Sequence, residues 1–85
     1  MTEHLSQLKS SAQIAKLSAT IKNIRKYRKM NQDEFGSLIG VKKSMVSRLE
    51  NHIGDIRVST LLRIAEALNI EVLISKDGIE VKIIA

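Results

Sequence analysis

The sequence predicts a mainly α-helical domain of four to five helices that ends in a β-hairpin. Three observations indicate this fold class. Apolar residues recur at helical spacing over residues 14–68. Gly36 and Gly40 interrupt that pattern and divide its middle into short helices. After Asn69 the pattern changes to two β-branched runs around an Asp-Gly pair, which is typical of a hairpin.

The first helix is predicted to run from Ser10 or Ser11 to about Lys29. Either serine can cap the helix, because its side-chain oxygen accepts a hydrogen bond from a free backbone N–H of the first turn. The preceding residues, 1–9, are predicted to be a flexible N-terminus. The buried stripe of this helix comprises Ile14, Leu17, Ile21 and Ile24.

A second, short helix is predicted from Gln32 to a turn at Gly40. Asn31 and Glu34 have the spacing of a capping box, which sets the start of the helix. Gly40 can leave the helix with a positive φ, and Gly36 lets a neighbouring helix approach closely. The apolar face of this helix comprises Phe35, Leu38 and Ile39.

A third helix is predicted to follow directly, from about Lys43 to Asn51. Val46 and Leu49 form its apolar face, and Val41 fills the gap between the second and third helices. Two short helices joined by such a tight turn form a helix-turn-helix, whose second helix enters the DNA major groove. The sequence therefore predicts that the third helix is a recognition helix.

A fourth helix and the hairpin complete the predicted fold. Residues 52–58 form a loop, Ser59 caps the fourth helix, and Asn69 ends it in a left-handed conformation. The apolar face of the fourth helix comprises Leu61, Leu62, Ile64, Ala65 and Leu68. Residues 10–70 are thus predicted to form the helix-turn-helix domain, and residues 71–85 the hairpin.

The hairpin is predicted to pair residues 71–75 with residues 79–84 through a turn at Asp77-Gly78. A two-stranded hairpin alone is marginally stable in water, so this one needs a partner surface. We predict that it pairs with the hairpin of a second copy across a two-fold axis. The alternative is that it folds back onto its own helices. The predicted dimer strand presents Ile79, Val81 and Ile83.

Positive charge is concentrated in the predicted helical body. Between Lys16 and Arg63, 11 basic residues stand against 4 acidic ones, a net charge of +7, whereas the rest of the chain carries −2. Lysines that only solvate helix faces would give the same balance. Because the positive charge coincides with the helix-turn-helix, we predict that it faces double-stranded DNA.

Composition gives other functions little support. Without cysteine, a disulfide framework and a zinc-thiolate site are excluded, and a reducing cytoplasm is expected. No apolar run approaches the roughly 20 residues of a membrane span, and no signal-peptide pattern occurs. His4 and His52 lack neighbours at metal-ligand spacing, so we expect no metal, no cofactor and no enzyme activity. Tyr27 and Phe35 fall at core spacing, which argues against base stacking.

The motifs over residues 14–70 resemble the phage-repressor-type (Cro, XRE) helix-turn-helix family. The resemblance implies a lambda-repressor-like domain that binds a palindromic operator as a homodimer. Within that family, the stretch Ala12–Lys29 and the strand after Leu68 are most similar to HipB-type antitoxins. The residues that carry the family resemblance are Arg25, Arg28, Gln32, Phe35-Gly36, Ile39-Gly40-Val41, Val46–Asn51 and Leu61–Leu68.

The resemblance implies roles for individual positions. Arg25 and Glu50 would form a partly buried salt bridge between the first helix and the end of the recognition helix. Base edges would be read by four side chains that can donate or accept hydrogen bonds in the major groove, namely Lys43, Ser44, Ser47 and Arg48. Phosphates would be contacted by Gln32, Lys42, Asn51 and Arg57.

The sequence departs from the family pattern at two places. The family normally has glycine after Glu50-Asn51, where this chain has His52, so we expect Asn51 or His52 to be left-handed. HipB-like antitoxins often extend beyond the last strand to engage the toxin, whereas this sequence ends at Ala85. If a toxin is bound, we expect the helical body or the hairpin to bind it.

The resemblance implies a bacterial cytoplasmic protein, associated with the nucleoid when bound. Its expected function is that of a dimeric transcriptional repressor, the antitoxin of an operon that encodes a HipA-like kinase toxin. One alternative is a free-standing regulator without a toxin, such as a phage or restriction-modification controller. Another is a protein-interaction module that keeps the fold without reading DNA.

Overall fold

The computed structural model describes residues 2–52 and 54–84, with side chains from residue 11 onward. The described chain contains four helices and an antiparallel two-stranded hairpin, so the predicted fold class is confirmed. The helices are α1 (Thr2–Tyr27), α2 (Gln32–Ile39), α3 (Lys43–Glu50) and α4 (Val58–Leu68), and the strands are β1 (Ile70–Ser75) and β2 (Gly78–Ile83).

Helix α1 is longer than the sequence predicted. It begins at Thr2 rather than at Ser10 or Ser11, because the residues before these serines include good helix formers and neither proline nor glycine. The flexibility of that segment stays a prediction. The helix ends at Tyr27, and Lys29 takes a left-handed φ of 59° that turns the chain toward α2.

The core lies where the helices and β1 meet. Its buried apolar side chains are Leu17, Ile21, Ile24, Phe35, Ile39, Val46, Leu49, Ile64, Leu68 and Ile70. Ile14, predicted to belong to the buried stripe of α1, is only partly buried. Tyr27 is 85 % exposed, so its predicted core position is wrong. It lies about 120° around the helix from Ile21, which points into the core.

Local sequence signals set the bounds of α2 as predicted. The backbone N–H of Glu34 donates to Asn31 Oδ1 at 2.7 Å, and the backbone N–H of Asn31 donates to Glu34 Oε1 at 2.9 Å. This is the complete capping box. Gly40 ends the helix with a left-handed φ of 74°, and its N–H donates to the Gly36 carbonyl.

Gly36 sets how closely α3 and the preceding turn approach α2. A Cβ atom at this position would lie 2.6 Å from the Val41 carbonyl oxygen and 3.3 Å from Val46 Cγ2. Phe35 and Ile39 supply the buried side chains of α2, whereas Leu38 is 59 % exposed. The prediction that Leu38 shares their buried face is therefore wrong, because it lies about 100° from Ile39 around the helix.

The connection from α3 to α4 differs in detail from the prediction. Asn51 is the C-cap of α3, and His52 takes the left-handed conformation with φ 55°, as one of the two expected candidates. Helix α4 begins at Val58, so the predicted cap at Ser59 is wrong; Arg57 takes that position without a side-chain hydrogen bond. Leu62 is 63 % exposed and does not belong to the buried face, which Ile64 and Leu68 dominate.

The hairpin begins where α4 ends. Asn69 stops the helix with a left-handed φ of 50°, as predicted, and its side-chain amide donates to the Ile84 carbonyl at 2.9 Å. Ser75 pairs with Gly78, so the two central turn residues are Lys76-Asp77 rather than Asp77-Gly78. The positive φ, 141°, falls at Gly78. The two central residues of the turn thus lie one position earlier in the sequence than predicted. Gly78 follows them, a position that glycine favours in a β-turn.

One face of the hairpin packs on the helices of its own chain. Val72, Ile79 and Val81 lie against the core, and the backbone N–H of Ile79 donates to Gln13 Oε1 on α1 at 3.3 Å. The hairpin thus folds back onto its own helices, and its pairing with a second copy stays a prediction. Of the three side chains predicted to face a second copy, Ile79 and Val81 are partly buried within the protomer, and Ile83 is 63 % exposed.

The close approach at Gly36 gives a stability prediction. We expect Gly36→Ala to lower the free energy of unfolding by about 1–2 kcal/mol, because displacing the Val41 backbone costs more than the gain of about 1 kcal/mol in helix propensity. Urea denaturation measures the change. The matched control is Ser37→Ala, an exposed neighbour whose effect should stay within about 0.5 kcal/mol. An unchanged or raised stability for Gly36→Ala would contradict the packing described.

Candidate nucleic-acid interface

Helix α3 has one anchored side and one free side. Val46, Leu49 and Glu50 are at most 7 % exposed and fix the helix against the body. On the opposite side, Ser44 and Arg48 lie one turn apart and are both exposed. Lys43 is exposed at the start of the helix, and Ser47 is partly buried. The structure therefore places Ser44 and Arg48 on the outward side of α3, with Ser47 at its border and Lys43 at the start of the helix.

Sequence reasoning missed one residue of this surface. Met45 is 48 % exposed and flanks the row formed by Ser44 and Arg48. The sequence could have indicated this exposure, because Met45 lies one position before Val46 and outside the apolar face that Val46 forms with Leu49. An apolar side chain beside hydrogen-bonding ones can contact the methyl group of thymine in the major groove.

The four predicted phosphate-contacting residues lie at the ends of helices, and their side chains differ in exposure and in hydrogen bonding. Lys42 is the N-cap of α3 and is exposed, as is Arg57 before α4. The side-chain amide of Asn51 donates to the Ser47 carbonyl at 2.8 Å and closes the end of α3. Gln32, the first residue of α2, is partly buried, and its amide donates to Glu50 Oε1 at 3.2 Å.

Arg25 and Glu50 form a buried ion pair beneath the interface. Arg25 Nε donates to Glu50 Oε2 at 2.6 Å, and Arg25 Nη2 donates to Glu50 Oε1 at 3.0 Å. Arg25 Nη1 donates to the Met30 carbonyl at 2.6 Å, in the turn before α2. One guanidinium therefore links the end of α1, the turn before α2 and the end of α3.

The burial of this pair determines how much it contributes to the free energy of unfolding. The side chains of Arg25 and Glu50 are 8 % and 0 % exposed. Because both charges have left water, their attraction is largely offset by desolvation, whereas removal of one partner leaves an uncompensated buried charge. The pair therefore acts mainly as a geometric constraint that fixes α3 relative to α1.

These features define a class of protein: a DNA-binding domain of the helix-turn-helix type. Two short helices meet at a tight left-handed turn, and the polar side of the second helix faces outward. Over the described residues, no helix combines the length and the apolar character needed to cross a membrane.

Comparison with known proteins identifies the family. A family model described as helix-turn-helix matches residues 21–74, which is well over half of the chain. The chain therefore belongs to the phage-repressor-type (XRE) helix-turn-helix family, and it is a DNA-binding regulator. No curated protein and no solved structure matches it.

The buried ion pair gives the second prediction. We expect Arg25→Glu alone or Glu50→Arg alone to lower the free energy of unfolding by about 3–5 kcal/mol, because each places like charges together in a buried site. The double reversal should recover part of that loss, since it restores opposite charges. Chemical denaturation of the four proteins measures this. If the double variant is no more stable than either single one, the pair does not hold the helices as described.

Proposed function

We propose that the protein is a transcriptional repressor that binds a palindromic operator as a dimer and blocks access to the promoter. The observation that carries this proposal is the outward polar face of α3, where Lys43, Ser44 and Arg48 are exposed. Lysine and arginine are donors suited to guanine O6 and N7, and serine can serve donor or acceptor edges. Ser47 completes the proposed base-reading set.

Phosphate contacts set the proposed docking of α3 in the groove. Lys42 and Gln32 lie at the amino ends of α3 and α2, where free backbone N–H groups and the helix dipole favour an anion. Arg57 and Asn51 would contact the phosphates beyond the end of the recognition helix. Such contacts orient the protein on the duplex without selecting a sequence. The mechanism needs no cofactor and no catalytic residue.

A dimer follows from the geometry of palindromic operators. Two recognition helices must enter major grooves about 34 Å apart on one face of the duplex. We propose that the hairpin supplies the contact through Ile83 and the neighbouring edge of the sheet. Apolar side chains that remain exposed on one face of the hairpin support this, with Ile74 at 67 % and Ile83 at 63 %. Ile79 and Val81 would support that edge from inside the protomer.

The antitoxin role is a further step of the proposal. The resemblance of residues 12–29 and of the strand after α4 to HipB-type antitoxins supports it, and a HipA-like kinase toxin would be the partner. Such a repressor would act in the bacterial cytoplasm, on the nucleoid. The alternative is a free-standing regulator without a toxin. A kinase-like reading frame beside the gene favours the antitoxin, and the absence of one favours the free-standing regulator.

The DNA-reading proposal gives a prediction about two adjacent lysines. On DNA from upstream of the gene, Lys43→Ala should cost about 1–3 kcal/mol of binding free energy and relax selectivity at one base pair. Lys42→Ala should weaken specific and mixed-sequence duplexes alike. Affinities measured by fluorescence anisotropy over a range of salt test this, and wild-type affinity should fall steeply as salt rises. Salt-independent binding, or equal effects of both variants on selectivity, would contradict the assignment.

The dimer proposal is tested on the exposed part of β2. We expect Ile83→Lys to shift the protein to monomers in sedimentation velocity, because it places charge in the proposed contact. The matched control is Glu80→Lys, which adds the same side chain to the same strand but on the opposite face of the hairpin. Dissociation by Glu80→Lys, with Ile83→Lys still dimeric, would place the contact on the other face.

A further inference from the structure

The carboxylate of Glu50 does more than neutralise Arg25. Glu50 Oε1 accepts from Arg25 Nη2 at 3.0 Å and also from the side-chain amide nitrogen of Gln32 at 3.2 Å. The second oxygen, Oε2, accepts from Arg25 Nε at 2.6 Å. The Glu50 side chain is fully buried, so these hydrogen bonds replace water around the charge.

This contact fixes which way the Gln32 amide faces. An ionised carboxylate only accepts hydrogen bonds, so Gln32 must turn its N–H₂ group, and not its oxygen, toward Glu50. The carboxylate that pairs with Arg25 is the one that accepts from Gln32, so the ion pair and the amide contact share one group. A neutral glutamine in place of Glu50 could donate or accept, and either orientation of the Gln32 amide would then be satisfied.

The orientation of the Gln32 amide matters for anion binding, because Gln32 lies in the first turn of α2. The capping box uses the backbone N–H groups of Asn31 and Glu34, which leaves those of Gln32 and Asp33 free at the first turn of α2. A phosphate bound at this end would accept hydrogen bonds from them. The Gln32 amide carries a second N–H beyond the one given to Glu50, and this one can join the same phosphate.

We infer that Glu50 is a positioning residue for DNA binding: it holds the Gln32 amide with its N–H groups available to a backbone phosphate. The inference rests on the proposed phosphate contact of Gln32, and it names the residue that orients the Gln32 amide for that contact. Glu50 itself does not touch DNA. Through one carboxylate, the end of the recognition helix is coupled to the phosphate contact at the start of α2.

The test is a pair of double-variant cycles on DNA affinity. The probe is a mixed-sequence duplex of about 30 base pairs at low salt, because a phosphate contact is independent of sequence. Gln32→Met removes the amide at similar length and should weaken binding roughly tenfold. Glu50→Gln should weaken binding about two- to tenfold, the cost of ordering a released side chain on binding.

Whether the losses of affinity caused by two substitutions add up distinguishes a positioning role of Glu50 from a general effect on the fold. In the Gln32→Met background, Glu50→Gln should cause no further loss, because the group that it positions is gone. In a Lys43→Ala background it should cause its full loss, since Lys43 lies at the other end of α3. Full loss in the Gln32→Met background would mean that Glu50 affects DNA binding only through the placement of α3 and not through Gln32, and it would overturn the inference.

A measurement on the wild-type protein covers the case in which Glu50→Gln does not fold. In ¹⁵N-labelled protein, one side-chain amide proton of Gln32 should be shifted by the carboxylate, and the other should move when the duplex is added. Gln13 is the internal control, because its amide uses its oxygen as the acceptor for the Ile79 N–H. Gln32 side-chain protons at the shifts of a solvated glutamine amide, both unmoved by the duplex, would overturn the inference. If wild-type protein binds no duplex at all, the proposed function fails and the inference falls with it.

Discussion

The buried ion pair between Arg25 and Glu50 is the constraint on which the rest of the structure depends. Helices α2 and α3 are each a little over two turns long, too short to be stable alone, so tertiary contacts must hold them. Apolar packing supplies most of that stability, but it is not directional. The bidentate pair adds direction, because the guanidinium fork meets the carboxylate in only a few geometries. It thereby fixes how α3 is turned.

The chemistry of the surface follows from that orientation. With Val46, Leu49 and Glu50 held inside, the helical repeat brings Ser44 and Arg48 outward. The same carboxylate meets Gln32 at the amino end of α2, so the two sides of the helix-turn-helix share one buried anchor. The proposed base reading by α3 and the proposed phosphate contact by α2 would thus depend on one buried anchor, and membership of the helix-turn-helix family agrees with this arrangement.

Much of this fold could be predicted because its signals are local. The capping box at Asn31 and the left-handed stops at Gly40 and Asn69 depend on neighbouring residues alone. The exposure of Leu38 and Leu62 could not be predicted, since the width of a buried helical face depends on what packs against it. The contact between Gln32 and Glu50 joins residues far apart in sequence and on different helices, and periodicity carries no information about it.

If the polar side of α3 binds DNA, it is free in the unbound protein and covered in the complex. The chain has no cysteine, so a single Ser44→Cys variant offers one thiol on that side, with Glu80→Cys on the hairpin as the reference. Maleimide labelling measures access to each thiol. We expect rapid labelling of both free variants and protection by the upstream duplex at position 44 alone. Slow labelling at position 44 without DNA, or no protection with it, would show that this side of α3 is not the DNA-binding surface.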